Sequence, residues 1–468
     1  MFQTLKNAWK TQELKTKLLF TLLIVILYRL GASIPVPFVS SAIHSANFLQ
    51  SAGYAFQLIA GDAFGQATLF ALSVSPYITS SIIMQLLTIA IPALERMAKD
   101  GEEGKKKIGM ITRFVTVALA LVTAIGYTNL LDSYQYLEFG EVNKTFGKIV
   151  MIACYCAGAS LVMWLAERIN EFGIGNGISI ILFANIVARF PNTFVGLYNM
   201  IRYSEGAGQL ISSIIWAVFI VALLLVIYWL IVWFTDSERR IPVQYAKRVV
   251  GRKMYGGQSS NLPLKLNMAG VMPVIFANSI VSIPGTLATI FPNAEWLTNL
   301  SNNYFNYTKP LYVLLSVILL FVFAYFYILI SFNPTEVANN IRNNGGAVPG
   351  IRPGKPTRDY IQKVLNRITL IGAVFLCVVS ELPKVLVSLF ATANDLLVVF
   401  KDNVVFKAIN DFYNTGYYSI EAMGSAQHVF LTIAFSGTSV LIVVGVILET
   451  VRELEAQLTM RNYKGFLD

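Results

Sequence analysis

The sequence predicts an all-α integral membrane protein, and three observations carry that prediction. Ten apolar stretches read as candidate membrane spans, most of them near the roughly 20 residues a crossing helix needs. Only 13% of the 468 residues are charged and 55% are hydrophobic, against roughly 25% charged in a soluble domain. The mean hydropathy is +0.60. Finally, Lys and Arg gather in alternate connections, as the positive-inside rule requires of a chain that crosses repeatedly.

The chain opens on a polar, basic arm from Met1 to Lys17. Phe2, Leu5 and Trp9 recur there at helical spacing, which suits a first helix lying on the membrane surface. Leu18–Val36 is the first span; it is long, ends in Pro35-Val36-Pro37 and lacks a small-residue cleavage site, so it reads as retained rather than as a signal peptide. The remaining first-half spans are a broken stretch Phe56–Leu94, then Ile108–Leu131, Phe146–Ala166 and the short Ile178–Phe190. The second five are Leu210–Phe234, Met268–Phe291, Leu311–Phe332, Ile368–Phe390 and Val429–Leu448. With the N-terminus in the cytoplasm, 27 of the 36 Lys and Arg fall in cytoplasmic segments. Both termini are therefore expected on that side.

Ten spans divide as five plus five near Tyr203 to Gly208, giving an N-terminal half 1–205 and a C-terminal half 206–468. Because five is odd, two tandem halves would sit with opposite orientations, as inverted repeats do. The seventh span carries breakers, Gly270, Pro273, Pro284 and Gly285, to match the interruption in the second. That second span is polar before its break, with Gly61, Asp62, Gly65 and Gln66, and is interrupted at Ser73, Ser75 and Pro76. Polar backbone at membrane depth needs shelter by protein or a water-filled cavity. A kinked span with an ordinary loop is the plainer alternative.

Two cytoplasmic loops are long, residues 235–267 and 333–367, and mix basic residues with Gly, Pro and Tyr. They read either as the positive-inside signal alone or as a docking face, since loops this long exceed what connection needs. In the second, turn formers bracket Arg352 and present it at a tip. Catalytic chemistry finds little support. Pro349 stands where a P-loop would need its first glycine, and Pro356 follows Gly354-Lys355. Gly173, Gly175 and Gly177 read as a tight turn between helices. His44 and His428 are far apart, and Cys154, Cys156 and Cys377 lie in apolar runs, so neither a metal site, a disulfide framework nor a cofactor is expected. Few ionisable groups occupy the spans; Arg29 is an exception that pairs or snorkels outward.

Several motifs, in order, give the chain a family resemblance. They are Ile34–Pro37 (IPVP), Phe70–Ile78 (FALSVSPYI), Gly173–Ser179 (GIGNGIS), Arg239–Ile241 with Tyr245–Arg248 (YAKR), Leu262–Gly270 (LPLKLNMAG), Phe332–Pro334 (FNP), Val348–Gly354 (VPGIRPG) and Thr438–Val444 (TSVLIVV). On these residues the chain resembles the SecY family, the channel subunits of the protein translocase, over nearly its whole length. The polar-aromatic stretch within 389–427 departs from the family pattern and reads as an external cap, a partner contact or a lineage-specific loop.

The resemblance implies ten helices in two five-helix halves around a central pore stoppered by a half-helix plug. It implies passage of unfolded secretory polypeptides and lateral release of membrane segments into the bacterial cytoplasmic membrane, without catalysis by this chain. Val74, Ile78, Ile178, Leu182, Ile275 and Ile442 then form an apolar pore ring, which excludes ions by dewetting. Residues 56–72 form the plug, including Gly61, Asp62, Phe64 and Gly65. Thr79, Gln85 and Asn278 are polar groups at a lateral gate between the second half of span two and span seven. Arg239, Arg240, Lys247, Arg248, Arg252, Lys253 and Arg352 are the docking patch for the SecA ATPase or a ribosome, and any contact with ribosomal RNA falls to these loops. SecE and SecG are the implied membrane partners, and signal sequences, preproteins and the lipid bilayer the other contacts. The competing readings are a small-molecule secondary transporter with inverted repeats, which needs paired ionisable residues at the midplane, and an intramembrane protease, which needs a catalytic pair.

Overall fold

The computed structural model describes residues 2–40, 62–188, 190–202, 207–245, 248–250, 253–255, 259–291, 294–305, 309–399 and 438–459. The molecule is mostly helical. A surface helix α1 (Phe2–Lys10) leads into α2 (Gln12–Gly31), which starts and stops earlier than the apolar run predicts. After α3 (Asp62–Gly65) come α4 (Ser75–Ala90) and α5 (Pro92–Lys99). These two form one apolar path bent by 101° at Ile91, where Pro92 starts α5. The hairpin α6 (Gly101–Ser133) and α7 (Lys144–Phe172) follows, then α8 (Gly177–Val187), α9 (Phe190–Arg202) and α10 (Ala207–Asp236). Among the described residues, four helical stretches, Gly101–Ser133, Lys144–Phe172, Pro310–Asn343 and Lys355–Glu381, are long and apolar enough to cross a membrane, and the bent pair makes a fifth if it is one span.

The expected half-helix over 56–72 is shorter where it is described. Helix stops at Gly65, and Ala67 and Ser73 take positive φ values of 49° each, which an α-helix cannot contain. A backbone bridge pairs Pro35 with Thr68 instead. Gly61 lies outside the described residues. The seventh span is broken as its prolines predict, into α11 (Met272–Val281) and α12 (Ile283–Ile290), each with a proline in its first turn. Helices α13 (Glu295–Tyr304) and α14 (Pro310–Ser331) complete this region. The expected ninth span lies inside a longer helix, α16 (Lys355–Val399). The closing helix α17 runs over 438–459, and most of the 389–427 stretch lies outside the described residues.

The two long loops are folded, and folded together. Strands β1 (Glu238–Tyr245) and β4 (Ser259–Lys265) pair antiparallel from the first loop, and β5 (Gly346–Ala347) from the second adds to β1. A small hairpin of β2 (Arg248–Val250) and β3 (Lys253–Tyr255) lies between. Helix α15 (Pro334–Asn343) is capped by the Asn333 side chain, which accepts from the Thr335 and Glu336 amides. Ile241, Val243, Leu264, Ile341, Val348, Ile361, Leu365 and Ile368 form the core of this unit. At the same end Thr4 bonds Glu455 at 2.9 Å, and Ala8, Leu14, Ile174 and Leu454 pack together, so the two ends of the chain meet.

Candidate functional site

The largest core cluster draws on helices from both ends of the chain: α2, α4, α7, α8, α10, α11, α14, α16 and α17. Four of the six candidate ring residues, Val74, Ile78, Leu182 and Ile275, are buried members of it, and Ile178 and Ile442 pack against it. Local structure explains their positions. Val74 is the N-cap of α4, and its carbonyl accepts from the Ile78 amide at 3.0 Å, so the pair sits one turn apart. Ile178 opens α8 beside the Asn176 cap, whose side chain accepts from the Ile178 amide at 3.0 Å, and Leu182 is one turn on. The tight turn expected at the GIGNGIS motif is present: Gly175 has φ +84°, and a Cβ on Gly177 would collide with the Ala166 carbonyl.

While Ala63 and Phe70 of the candidate plug belong to the first cluster, a second cluster holds another part of the described plug. Phe64, Ala67, Ala71 and Leu72 are buried there with Ala120, Ala124, Tyr127, Met151, Tyr155 and Ala159 of the α6–α7 hairpin. The Tyr127 hydroxyl donates to the Phe64 carbonyl, and the two rings lie 4.6 Å apart. The Tyr155 hydroxyl donates to the Ala67 carbonyl at 3.4 Å. Gly65 is buried; the surroundings of the Asp62 side chain are outside what is described.

At the candidate gate, α4 touches α11 and α12 packs along α6, while α4 packs on α6 and α11 on α14. Thr79 donates to Ser75 of its own helix at 3.1 Å. Gln85 is exposed and Asn278 half-buried. Among the described residues, no bond joins these three side chains across the seam.

On the folded loops, Arg239 and Arg240 are exposed on β1, and Arg240 lies 3.6 Å from Glu238. Arg248 and Lys253 belong to the β2–β3 hairpin, and Lys247 and Arg252 lie outside the described residues. Arg352 is exposed between Gly350, φ +79°, and Gly354, φ +100°. Its carbonyl accepts from Thr357 at 2.9 Å, which stiffens the tip. Burial, and then the neighbouring Arg452, push the Lys265 ammonium below the ordinary lysine value, against the opposing charges of Glu238, Asp236 and Glu449.

The sequence reading missed several polar side chains at these clusters. Tyr28, Asn185, Tyr127 and Tyr155 are all buried. Glu381 is buried on α16, where Ser380 donates to it at 3.3 Å. Asn185 had a legible signal: it is a lone amide in the apolar run of α8, and such groups in membrane helices find partners. No group of three or more His, Cys, Asp or Glu is arranged to hold a metal among the described residues.

A family model described as SecY matches residues 68–451. The chain is 38% identical over 482 residues to "Protein translocase subunit SecY" of Streptomyces galbus, covering 100% of both chains. A solved structure described as "The structure of a protein conducting channel" shares the fold at TM-score 0.63 and 16% identity, covering 94% of this chain and 92% of that one. Another, "Sec61 in the Canine ribosome-channel complex from the endoplasmic reticulum", gives TM-score 0.59 and 15% identity over the same shares.

Proposed function

The chain belongs to the SecY family, and from this membership we infer how its residues conduct a polypeptide. It is a multi-pass membrane protein and the protein-conducting channel subunit of a translocase; it is not itself catalytic, and the transporter alternative is not favoured. We propose ten spans in two inverted halves, with both termini on the cytoplasmic face of a bacterial cytoplasmic membrane. The observation that carries the mechanism is the convergence of six branched apolar side chains from α4, α8, α11 and α17 in and against one core cluster.

In this reading Val74, Ile78, Ile178, Leu182, Ile275 and Ile442 are the constriction. A ring of such side chains dewets when empty and so blocks ions. It has no fixed polar partners to break when an extended chain enters. Residues 56–72 stopper it from the external side, held by Tyr127 and Tyr155. An incoming signal sequence parts the seam between α4 and α11, with α6 and α14 as flanks. Thr79, Gln85 and Asn278 supply polar groups that an arriving segment can bond, at about 0.6–2 kcal/mol each in a membrane. The folded loops receive the energy source, SecA or a ribosome, and SecE and SecG complete the complex.

The test is ion conductance of the purified channel in planar bilayers. Ile78→Asn and Ile275→Asn should each raise the resting current by roughly tenfold or more, since a hydrated ring residue removes the dewetting barrier. Unchanged current in both would sink the ring assignment.

A further inference from the structure

Three buried side chains from three separate elements close a ring of hydrogen bonds beside the candidate constriction. Tyr28 of α2 is 0% exposed, Ser73 before α4 is 1% and Asn185 of α8 is 2%. The Tyr28 hydroxyl donates to Asn185 Oδ1 at 2.8 Å. Asn185 Nδ2 donates to Ser73 Oγ at 3.0 Å. The third side joins Ser73 Oγ and the Tyr28 hydroxyl at 3.0 Å. Tyrosine has one hydroxyl proton, and Asn185 takes it, so on this side Ser73 is the donor. Each group thus donates once and accepts once around the cycle, an arrangement in which the bonds polarise one another.

The cycle closes on a strained backbone position. Ser73 sits at φ +49°, a left-handed conformation that non-glycine residues adopt at a cost. It is the last residue before Val74, the N-cap of α4. On the other side, Ile178, Leu182 and Asn185 recur at helical spacing, so the amide lies one turn beyond the candidate ring residues on the same face of α8. The Tyr28 ring stacks on Phe70, inside the candidate plug segment 56–72, at 5.6 Å and 9°.

We propose that Tyr28, Ser73 and Asn185 form a latch that positions the pore ring and plug in the resting channel, and that opening breaks it. The three are positioning residues: they touch no passing chain, but they fix the hinge between the stopper and the α4 wall. The proposal rests on the ring and plug reading above. An isolated buried bond would only add stability. A bond cycle that clamps a strained hinge adds it selectively to the closed state, so its loss shifts the balance between states.

The experiment uses the full-length chain in its membrane complex, reconstituted in planar bilayers, with thermal stability measured in parallel. Tyr28→Phe keeps the stack on Phe70 and removes one hydroxyl; Ser73→Ala removes the other at a position where Ala is no more strained than Ser. Each removes two of the three bonds of the cycle and should raise resting open probability by roughly tenfold or more; because the two variants share one bond, the double variant should exceed either by less than their product. Ser80→Ala is the control. Ser80 is buried and donates to the Thr112 carbonyl at 2.8 Å, joining α4 to α6 away from the hinge; this variant should lose stability and keep a tight resting state. Ile275→Asn reports on the underlying reading. If it leaks while both latch variants stay tight, the latch is wrong and the ring stands. If it too stays tight, the ring reading fails, and the latch with it. Equal leak from Ser80→Ala would reduce the effect to general destabilisation and overturn the proposal.

Discussion

Gly158 shows how closely single atoms fit around the candidate plug. It lies on α7 where the chain passes Leu69, and a Cβ there would run into the Leu69 carbonyl. Gly158→Ala should therefore lower stability by about 1–3 kcal/mol, the range for overpacking a tight contact, although alanine is the better helix former. Gly109, on α6, has nothing within 4 Å of a Cβ; Gly109→Ala should be neutral or gain up to about 1 kcal/mol. Thermal unfolding of the two variants in detergent decides the point, and a Gly158→Ala protein as stable as Gly109→Ala would show that Leu69 moves away without cost. Residues of this kind were only partly legible in the sequence. Val74 and Ile275 look like any core residue, because branched apolar side chains are common to cores, lipid faces and constrictions alike. The family resemblance singled them out; periodicity did not. The bonds that join Asn185 and Tyr28 are another matter. Ser73, the partner of both, lies 112 residues from Asn185 and 45 from Tyr28 in the chain; the lone amide of Asn185 marks a group that needs a partner, but no local pattern names one at that span.

At the scale of elements, prolines and glycines announced the breaks well and the sheet poorly. Pro76, Pro273 and Pro284 each sit in the first turn of a helix, where a missing N–H costs nothing, so the interruptions expected in spans two and seven were readable, whereas the 101° bend before Pro92 was not among them. The expected half-helix of the candidate plug is longer than the described one because composition does not mark the positive-φ positions, Ala67 and Ser73, that follow Gly65. The loops were treated as separate connections, yet β1 carries a proline and pairs with residues from both. Their shared core predicts shared failure. Ile361 is fully buried between α16 and the sheet, so Ile361→Ala should cost about 2–5 kcal/mol locally. Limited proteolysis from the side that bears these loops should then cut within both 235–267 and 333–367, while the membrane helices stay protected. Cleavage confined to the second loop would mean that β1 and β4 stand without α16.

For the whole molecule, the exposed basic tip separates what the channel does alone from what it does when driven. Arg352 is exposed, its turn is fixed by two glycines in the left-handed region and by the Thr357 bond, and it makes no ion pair among the described residues. An exposed guanidinium on a fixed backbone turn suits recognition of a carboxylate on a partner, because little backbone freedom remains to be lost on binding. It lies on the folded loops, whose core is distinct from the two clusters that hold the candidate ring and plug residues. Charge reversal there should leave the resting seal alone. Arg352→Glu should cut SecA- and ATP-dependent import of a preprotein into proteoliposomes by at least about tenfold, since an attractive contact becomes a repulsive one. Its resting conductance and thermal stability should match the parent channel. Full import by Arg352→Glu would remove this residue from partner coupling. A leaking or unstable variant would mean that the tip supports the bundle instead, through the β5 and α16 contacts beneath it.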